Sequence, residues 1–259
     1  MLLNSVILVL REVLEAAMVV SLFMAFTTVS QQSRRFLIKA ILLGLIAGAT
    51  YAYFLPEVSN WLEGVGQEIT NTAIHIGIYC CLTVFLWLIS RDINLPNQLV
   101  KGMMMTAIIL AISRESAEIM LYISGFRSDH FLMQSVLSGS LIGLGIGVSC
   151  GIFLYHLMIA LKPAAAAKCI CILVVIVGSS MMSQATQFLI QADWLASSNP
   201  VWDSSHLISE HSLPGQLLYA LMAYEATPTW SQILVYLTSL LLMLIVIVSG
   251  RFSRSIQHD

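Results

Sequence analysis

Apolar residues run in seven long stretches, at about 2–30, 36–56, 67–90, 99–124, 131–161, 166–191 and 229–249, with polar and charged residues gathered between them. Each stretch can cross a hydrocarbon core, which takes ~20 apolar residues in a helix. Lipid offers no partner to a free backbone N–H or C=O, so each is expected to be helical. The segment 214–225 (PGQLLYALMAYE) is also apolar, yet at 1.5 Å per residue it reaches only about 18 Å. It is expected as an interfacial or re-entrant helix leading into the last span. The first stretch has no basic start and holds Arg11, Glu12 and Glu15 at its centre, unlike a cleaved signal peptide.

Composition agrees with this pattern. Of 259 residues 58% are hydrophobic and only 10% are charged, and the mean hydropathy is +0.86. A water-facing domain carries about a quarter of its residues as charges, so a soluble enzyme is excluded. Twelve basic against 14 acidic residues give no basic face for nucleic acid. Cys80, Cys81, Cys150, Cys169 and Cys171 sit inside apolar stretches as small hydrophobes, and the 13 Met are packing residues.

Charge then orients the chain. With the connections assigned alternately, one side collects Arg34, Arg35, Lys39, Arg91, Lys101, Lys162, Lys168, Arg251 and Arg254 with Asp92 and Asp259, for a net +7. The other collects Glu57, Glu63, Glu68, Asp129, Asp193, Asp203, Glu210 and Glu225 against Arg127, for a net −7. The basic side is expected to be cytoplasmic, which puts the N-terminus outside and the C-terminus inside.

The charges left within the membrane form one pattern twice: Arg11–Glu15 (REVLE) and Arg114–Glu118 (RESAE), 103 residues apart. Leu42–Leu55 likewise matches Leu141–Leu154 at six of 14 positions, including Gly44/Gly143 and Gly48/Gly147. Spans 1–3 (about 1–90) and 4–6 (about 99–191) read as two copies of a three-helix unit. An odd number of spans inverts the second copy, and inverted repeats mark transporters with a site near the midplane. The outer loop 192–228 and the last span 229–249 complete one permease domain over 1–259. The expected fold is an all-α integral membrane protein of seven transmembrane helices, an inverted 3+3 repeat plus one C-terminal helix.

On a helix, Arg11, Glu12 and Glu15 share an arc of about 100°, and so do Arg114, Glu115 and Glu118. A charge at the bilayer centre costs at least ~2.5 kcal/mol, so both clusters must face the bundle interior. There each Arg can pair with the Glu one turn on, which leaves one surplus carboxylate per motif. Glu12, Glu15, Glu115 and Glu118 then form a site for a hard, multivalent cation, with Arg11 and Arg114 balancing charge. Two stripes extend the polar path: Glu68, Asn71, Thr72 and His75 on span 3, and Ser180, Gln184, Gln187 and Gln191 on span 6. They are expected to line a vestibule in the outer half. His156 reads as a satisfied core histidine. The outer loop holds Asp193, Asp203, His206, Glu210, His211 and Glu225; His206 and Glu210 could share a helix face as a loading site.

Arg-Glu-x-x-Glu in the first and fourth of seven spans resembles the oxidase-dependent iron transporters, the fungal high-affinity iron permease and its bacterial relatives. The likeness extends through WDSSHLISEHSLPGQLLYALMAYEATPTWSQ before the last span. Two positions depart: a second acid often found three residues after the Glu68 position is Asn71, and the Gly-Tyr step before the last span reads Ala223–Tyr224. The resemblance implies iron as the transported substrate, bound by Glu12, Glu15, Glu115 and Glu118 and moved into the cytoplasm across a bacterial inner membrane or a plasma membrane. No organic cofactor is expected. No ferroxidase domain is fused to the chain, so a separate external oxidase or iron-delivery protein is the expected partner. The alternative is a transporter of another divalent metal or a cationic substrate.

Overall fold

The computed structural model describes residues 2–91, 98–210 and 212–258. Asp92, His211, Asp259 and the side chains of Arg251 and Arg254 lie outside the described set. The chain is all-helical there: α1 Leu2–Val29, α2 Arg35–Ser59, α3 Gly66–Arg91, α4 Gln98–Ser124, α5 His130–Ile159, α6 Pro163–Gln191, α7 Leu213–Met222 and α8 Trp230–His258. Five of these helices, α2, α3, α5, α6 and α8, are long and apolar enough to cross a membrane. The helices α1 and α4 are as long, at 28 and 27 residues, but carry the charged motifs.

Local chemistry sets several ends. Asp129 caps α5 by accepting from the backbone N–H of Phe131 and Leu132, and Pro163 opens α6, where a preset φ favours the first turn. Ser212 caps α7 through Gly215 N–H. That helix ends at Ala223, whose backbone is left-handed (φ 49, ψ 45), a conformation that disfavours a Cβ by about 1–2 kcal/mol. A glycine at this position would relieve it. Ala223→Gly is expected to raise stability by up to ~1 kcal/mol, read as a higher unfolding temperature in lipid; a lower one would mean the turn needs the methyl group.

Contacts along the helices fix their relative directions. Ser5 Oγ meets Tyr122 Oη at 2.8 Å and Glu12 meets Arg114 at 3.3 Å, so the start of α1 lies by the end of α4 and the two are antiparallel. Thr72 and His75 of α3 bond Ala185 and Gln184 of α6, again antiparallel. Tyr79 bonds Ser239 O at 3.0 Å and Gly250 abuts Ser90, so α8 runs parallel to α3. Central packing is apolar, around Phe23, Phe85, Met104, Ile108, Ile170 and Met243, all fully buried. The outer faces of α2, α5 and α8 expose Ile46, Leu141, Phe153 and Ile245, as a lipid-facing surface would.

Two helix pairs pack on glycines in matching register. Gly44 of α2 lies on Ile112 and Ile109 O of α4, and Gly48 on Ser113 and Ser116. Gly143 of α5 lies on Val9 and Val6 O of α1, and Gly147 on Leu10 and Val13. Each α4 residue stands 103 positions after its α1 counterpart, the spacing of the two motifs. A Cβ on Gly143 would sit 2.6 Å from Val6 O and 3.0 Å from Leu10 N, both backbone atoms that a side-chain rotation cannot move. Gly143→Val is therefore expected to cost about 1–3 kcal/mol, seen as early unfolding in a thermal melt. An unchanged melt would show that α1 and α5 can part freely.

The short helix α7 packs against α1 and α6. Its Ala220 and Leu221 join Leu10, Leu14 and Met18 of α1. It therefore reaches about halfway along α1.

Candidate metal site between the two motif helices

Glu12 lies ten residues from the start of α1, and Arg114 ten residues from the end of α4. In antiparallel helices these positions meet at one level, about 15 Å from the shared end, half the thickness of a ~30 Å hydrocarbon core. Glu12, Glu15, Arg114 and Glu115 are all buried there. Arg114 is the hub. Its Nη1 lies 2.6 Å from Glu115, 3.3 Å from Glu12 and 3.6 Å from Glu15, and its Nη2 lies 2.8 Å from Glu118. One guanidinium thus holds carboxylates from both helices.

Both arginines meet the Glu one turn on, as expected, but Arg11 does so more loosely than Arg114. Arg11 reaches Glu15 alone, at 3.6 Å, and stacks on the Tyr219 ring with 3.7 Å to the centroid. Its side chain is 32% exposed against 3% for Arg114. The cause is α7, which brings Tyr219 against α1; on the other side Arg114 has only Phe188, 5.5 Å from its ring centre. A cation over an aromatic face is held without a carboxylate, so Arg11 stands partly withdrawn from the acidic centre.

One carboxylate oxygen from each of Glu12, Glu115 and Glu118 lies within 4.8 Å of the others. A single hard cation with oxygen ligands at about 2.0–2.6 Å can bridge that spacing. Glu15 is outside this trio, and both of its oxygens are buried with no hydrogen-bond partner.

The stripe on α3 reaches this centre directly. Asn71 Nδ2 donates to Glu118 at 3.3 Å, and Tyr51 Oη donates to Asn71 Oδ1 at 3.1 Å. His75 is buried, its Nδ1 donating to Asn71 O at 2.8 Å and its Nε2 3.0 Å from the Gln184 amide. Thr72 likewise bonds Ala185 O. The two stripes therefore face each other and close around His75, while Gln187 and Gln191, further along the α6 stripe, line an open polar space. Glu68 has one buried oxygen without a hydrogen-bond partner.

An open polar cavity of about 380 Å³ lies beside Arg11, with Gln187 and Gln191 from the α6 stripe, Tyr219, Glu210 and Glu225 in its wall. Burial pushes the Glu225 carboxyl above its ordinary range, the Gln232 hydrogen bond opposes this, and nearby Glu210 adds to the rise. One outer-loop expectation changes. The backbone at 205–210 is turns and bends rather than a helix, so His206 and Glu210 share no helix face. His206 is exposed, whereas Glu210 points into the cavity and accepts from Ala226 N–H at 2.6 Å. His156, expected in the core, is exposed on α5 against Tyr155. Tyr219, Gln216 and Gln232 are new; an apolar ten-residue helix gives no sequence signal for which face meets Arg11.

Fold and site together define a multi-pass helical membrane protein with a buried, strongly acidic centre shared by two helices. Comparison with known proteins makes the class specific. The chain belongs to the Iron permease FTR1 family, whose model matches residues 2–256. It is similar to the ferrous iron permease EfeU of Escherichia coli O6:H1, at 24% identity over 93% of this chain and 94% of that protein. It is also similar to the ferrous iron permease EfeU of Yersinia pestis, at 23% identity over 93% and 91%. No solved structure matches the chain significantly.

Proposed function

We propose that the protein is a seven-span permease that carries iron, as Fe(II), into the cytoplasm through the centre between α1 and α4. The observation that carries this reading is the set of four carboxylates from two antiparallel helices gathered on one guanidinium. Carboxylate oxygens suit hard divalent cations as a class, and the choice of iron among them rests on the relatives, which are named ferrous iron permeases. The matched glycine register and alternating helix directions support an inverted 3+3 repeat with α8 added and α7 re-entrant. The net −7 and +7 faces support an outer N-terminus, and the bacterial relatives support an inner-membrane location.

Arg114 occupies the position an ion would take, as a tethered stand-in of single charge. Iron binding to Glu12, Glu115 and Glu118 requires Arg114 to swing aside, toward Phe188. Arg11, its counterpart 103 residues earlier, already shows such a withdrawn pose on Tyr219. In the opposite-facing state the two arginines exchange roles: Arg11 enters among the carboxylates and Arg114 leaves. The guanidinium that returns expels the ion, which keeps the acidic centre from becoming a trap. An external delivery protein would hand over Fe(II), whereas an external oxidase acting first would make the cargo Fe(III).

Proteoliposomes holding the purified chain and ⁵⁵Fe, with Mn(II), Zn(II) and lysine as competitors, test the reading. Uptake of iron, resisted poorly by lysine, is expected. Transport of Mn(II), Zn(II) or lysine without iron would move the assignment to another divalent metal or cationic substrate.

A further inference from the structure

The echo between the two halves continues into the third helix of each. Thr83-Val84-Phe85-Leu86 of α3 returns as Thr186-Gln187-Phe188-Leu189 of α6, again 103 residues on, and Phe23 of α1 returns as Phe126 of α4. The local geometry matches as well: Thr83 Oγ1 donates to Tyr79 O and Thr186 Oγ1 to Met182 O, each one turn back. The two phenylalanines of the repeat nevertheless stand in different surroundings.

Phe85 is fully buried, its ring edge-on to Phe23 and Phe26 of α1 with centroids 5.1 and 5.0 Å away. It belongs to the same buried apolar cluster as Leu82, Leu86, Met104 and Ile108. Phe23 lies eight residues beyond Glu15, about 12 Å along α1 toward the side read as cytoplasmic. An apolar constriction of this kind admits neither an ion nor its water. Phe188 makes no such seal. It is half-buried, with its ring centre 5.4 Å from that of His75 and 5.5 Å from the Arg114 guanidinium carbon. Phe126, the counterpart of Phe23, packs on Tyr122 instead, with centroids 5.3 Å apart. On that side the polar cavity reaches Arg11, with Gln187, the neighbour of Phe188, in its wall. The rings are thus assembled on the inner side of the carboxylates while their counterparts are parted on the outer side, the asymmetry expected when an inverted repeat faces one way.

We propose that Phe85 and Phe188 are the inner and outer gates of one transport cycle, an assignment that rests on the permease reading and its inverted repeat. In this structure Phe85, held between Phe23 and Phe26, keeps the inner half shut. An ion that enters the carboxylates drives Arg114 toward Phe188, and Phe188 moves outward onto Phe126 and closes the outer half behind the ion. Phe85 then parts from Phe23 and Phe26, and the ion leaves inward.

Retention of ⁵⁵Fe(II) by preloaded proteoliposomes tests this, together with equilibrium binding of ⁵⁵Fe(II) to the full-length protein in lipid nanodiscs. F85A removes the inner gate while the outer half is open, so label is expected to escape at least tenfold faster than from the wild type. Its iron binding is expected to stay within about twofold, because Phe85 packs on Phe23 and Phe26 and not on the carboxylates. Phe85→Leu keeps apolar bulk at the plug and is expected to recover most of the retention. If F85A fails to reach the membrane, the outer gate makes the test. F126C/F188C, in a chain whose Cys80, Cys81, Cys150, Cys169 and Cys171 are replaced by Ala, is treated with a short bifunctional methanethiosulfonate in the absence of oxygen. Fe(II) is expected to raise cross-linking at least fivefold, the linked protein to stop taking up iron, and reduction of the link to restore uptake. Retention by F85A equal to that of the wild type, or cross-linking indifferent to Fe(II), in a chain that takes up iron would overturn the gates and leave the iron reading standing. A wild-type chain that takes up no iron would overturn that reading and the gates with it.

Discussion

Replacing Glu12, Glu115 or Glu118 by Gln is expected to cut iron uptake at least tenfold while the protein still folds and inserts. These three side chains supply the oxygens that one ion can bridge, and a neutral amide cannot replace an anionic ligand at a buried centre. Folding should survive because Gln has nearly the size of Glu and Arg114 keeps three other carboxylates. Removing one membrane-buried charge also lowers a burial cost. Glu15→Gln should impair uptake less, because Glu15 bridges the two arginines and stands outside the trio. Radiolabelled uptake normalised to protein in the membrane reads both effects. Wild-type rates for all three variants would move the site elsewhere.

The second large effect concerns Arg114. Breaking a buried ion pair by removing one partner typically costs 3–5 kcal/mol, because the remaining charge is left uncompensated. Arg114→Gln strips the hub from four carboxylates, so a loss of about that size is expected. A cation that takes its place should return the stability. Adding Fe(II) or Mn(II) should therefore raise the unfolding temperature of R114Q far more than that of the wild type. Arg114→Lys should fold but transport poorly, because one ammonium cannot reproduce the separate Nη1 and Nη2 contacts to Glu115 and Glu118. Arg11→Gln, with one contact at 3.6 Å and a third of its side chain exposed, should cost no more than about 1 kcal/mol. Equal losses at both arginines, with no metal rescue of R114Q, would contradict the stand-in role.

The helices were legible in the sequence because lipid leaves hydrophobic length as the dominant signal. Their ends were less so. Hydropathy reads the end of apolar character, so α8 was expected to stop near 249 although the helix continues to His258, and α6 near 166 although Pro163 opens it. The motif positions and their convergence followed from periodicity and the cost of buried charge. The unequal state of the two arginines did not. It depends on Tyr219, and a ten-residue apolar segment does not disclose which neighbour it packs against. Glu210 was recognised but assigned to His206, because spacing of i, i+4 has meaning only on a helix and this backbone turns. The closing of the α3 and α6 stripes around His75 was likewise invisible, since periodicity shows which residues share a face and not what covers it.

X-ray absorption at the iron edge, on protein loaded with Fe(II) in lipid, tests the central claim most directly. The account predicts a first shell of oxygen alone, with no sulfur or imidazole nitrogen, for iron held by carboxylates of both α1 and α4. It further predicts that Glu12→Gln and Glu118→Gln, one on each helix, each change that shell. A sulfur or histidine ligand, or an iron spectrum unaltered in both variants, would contradict it.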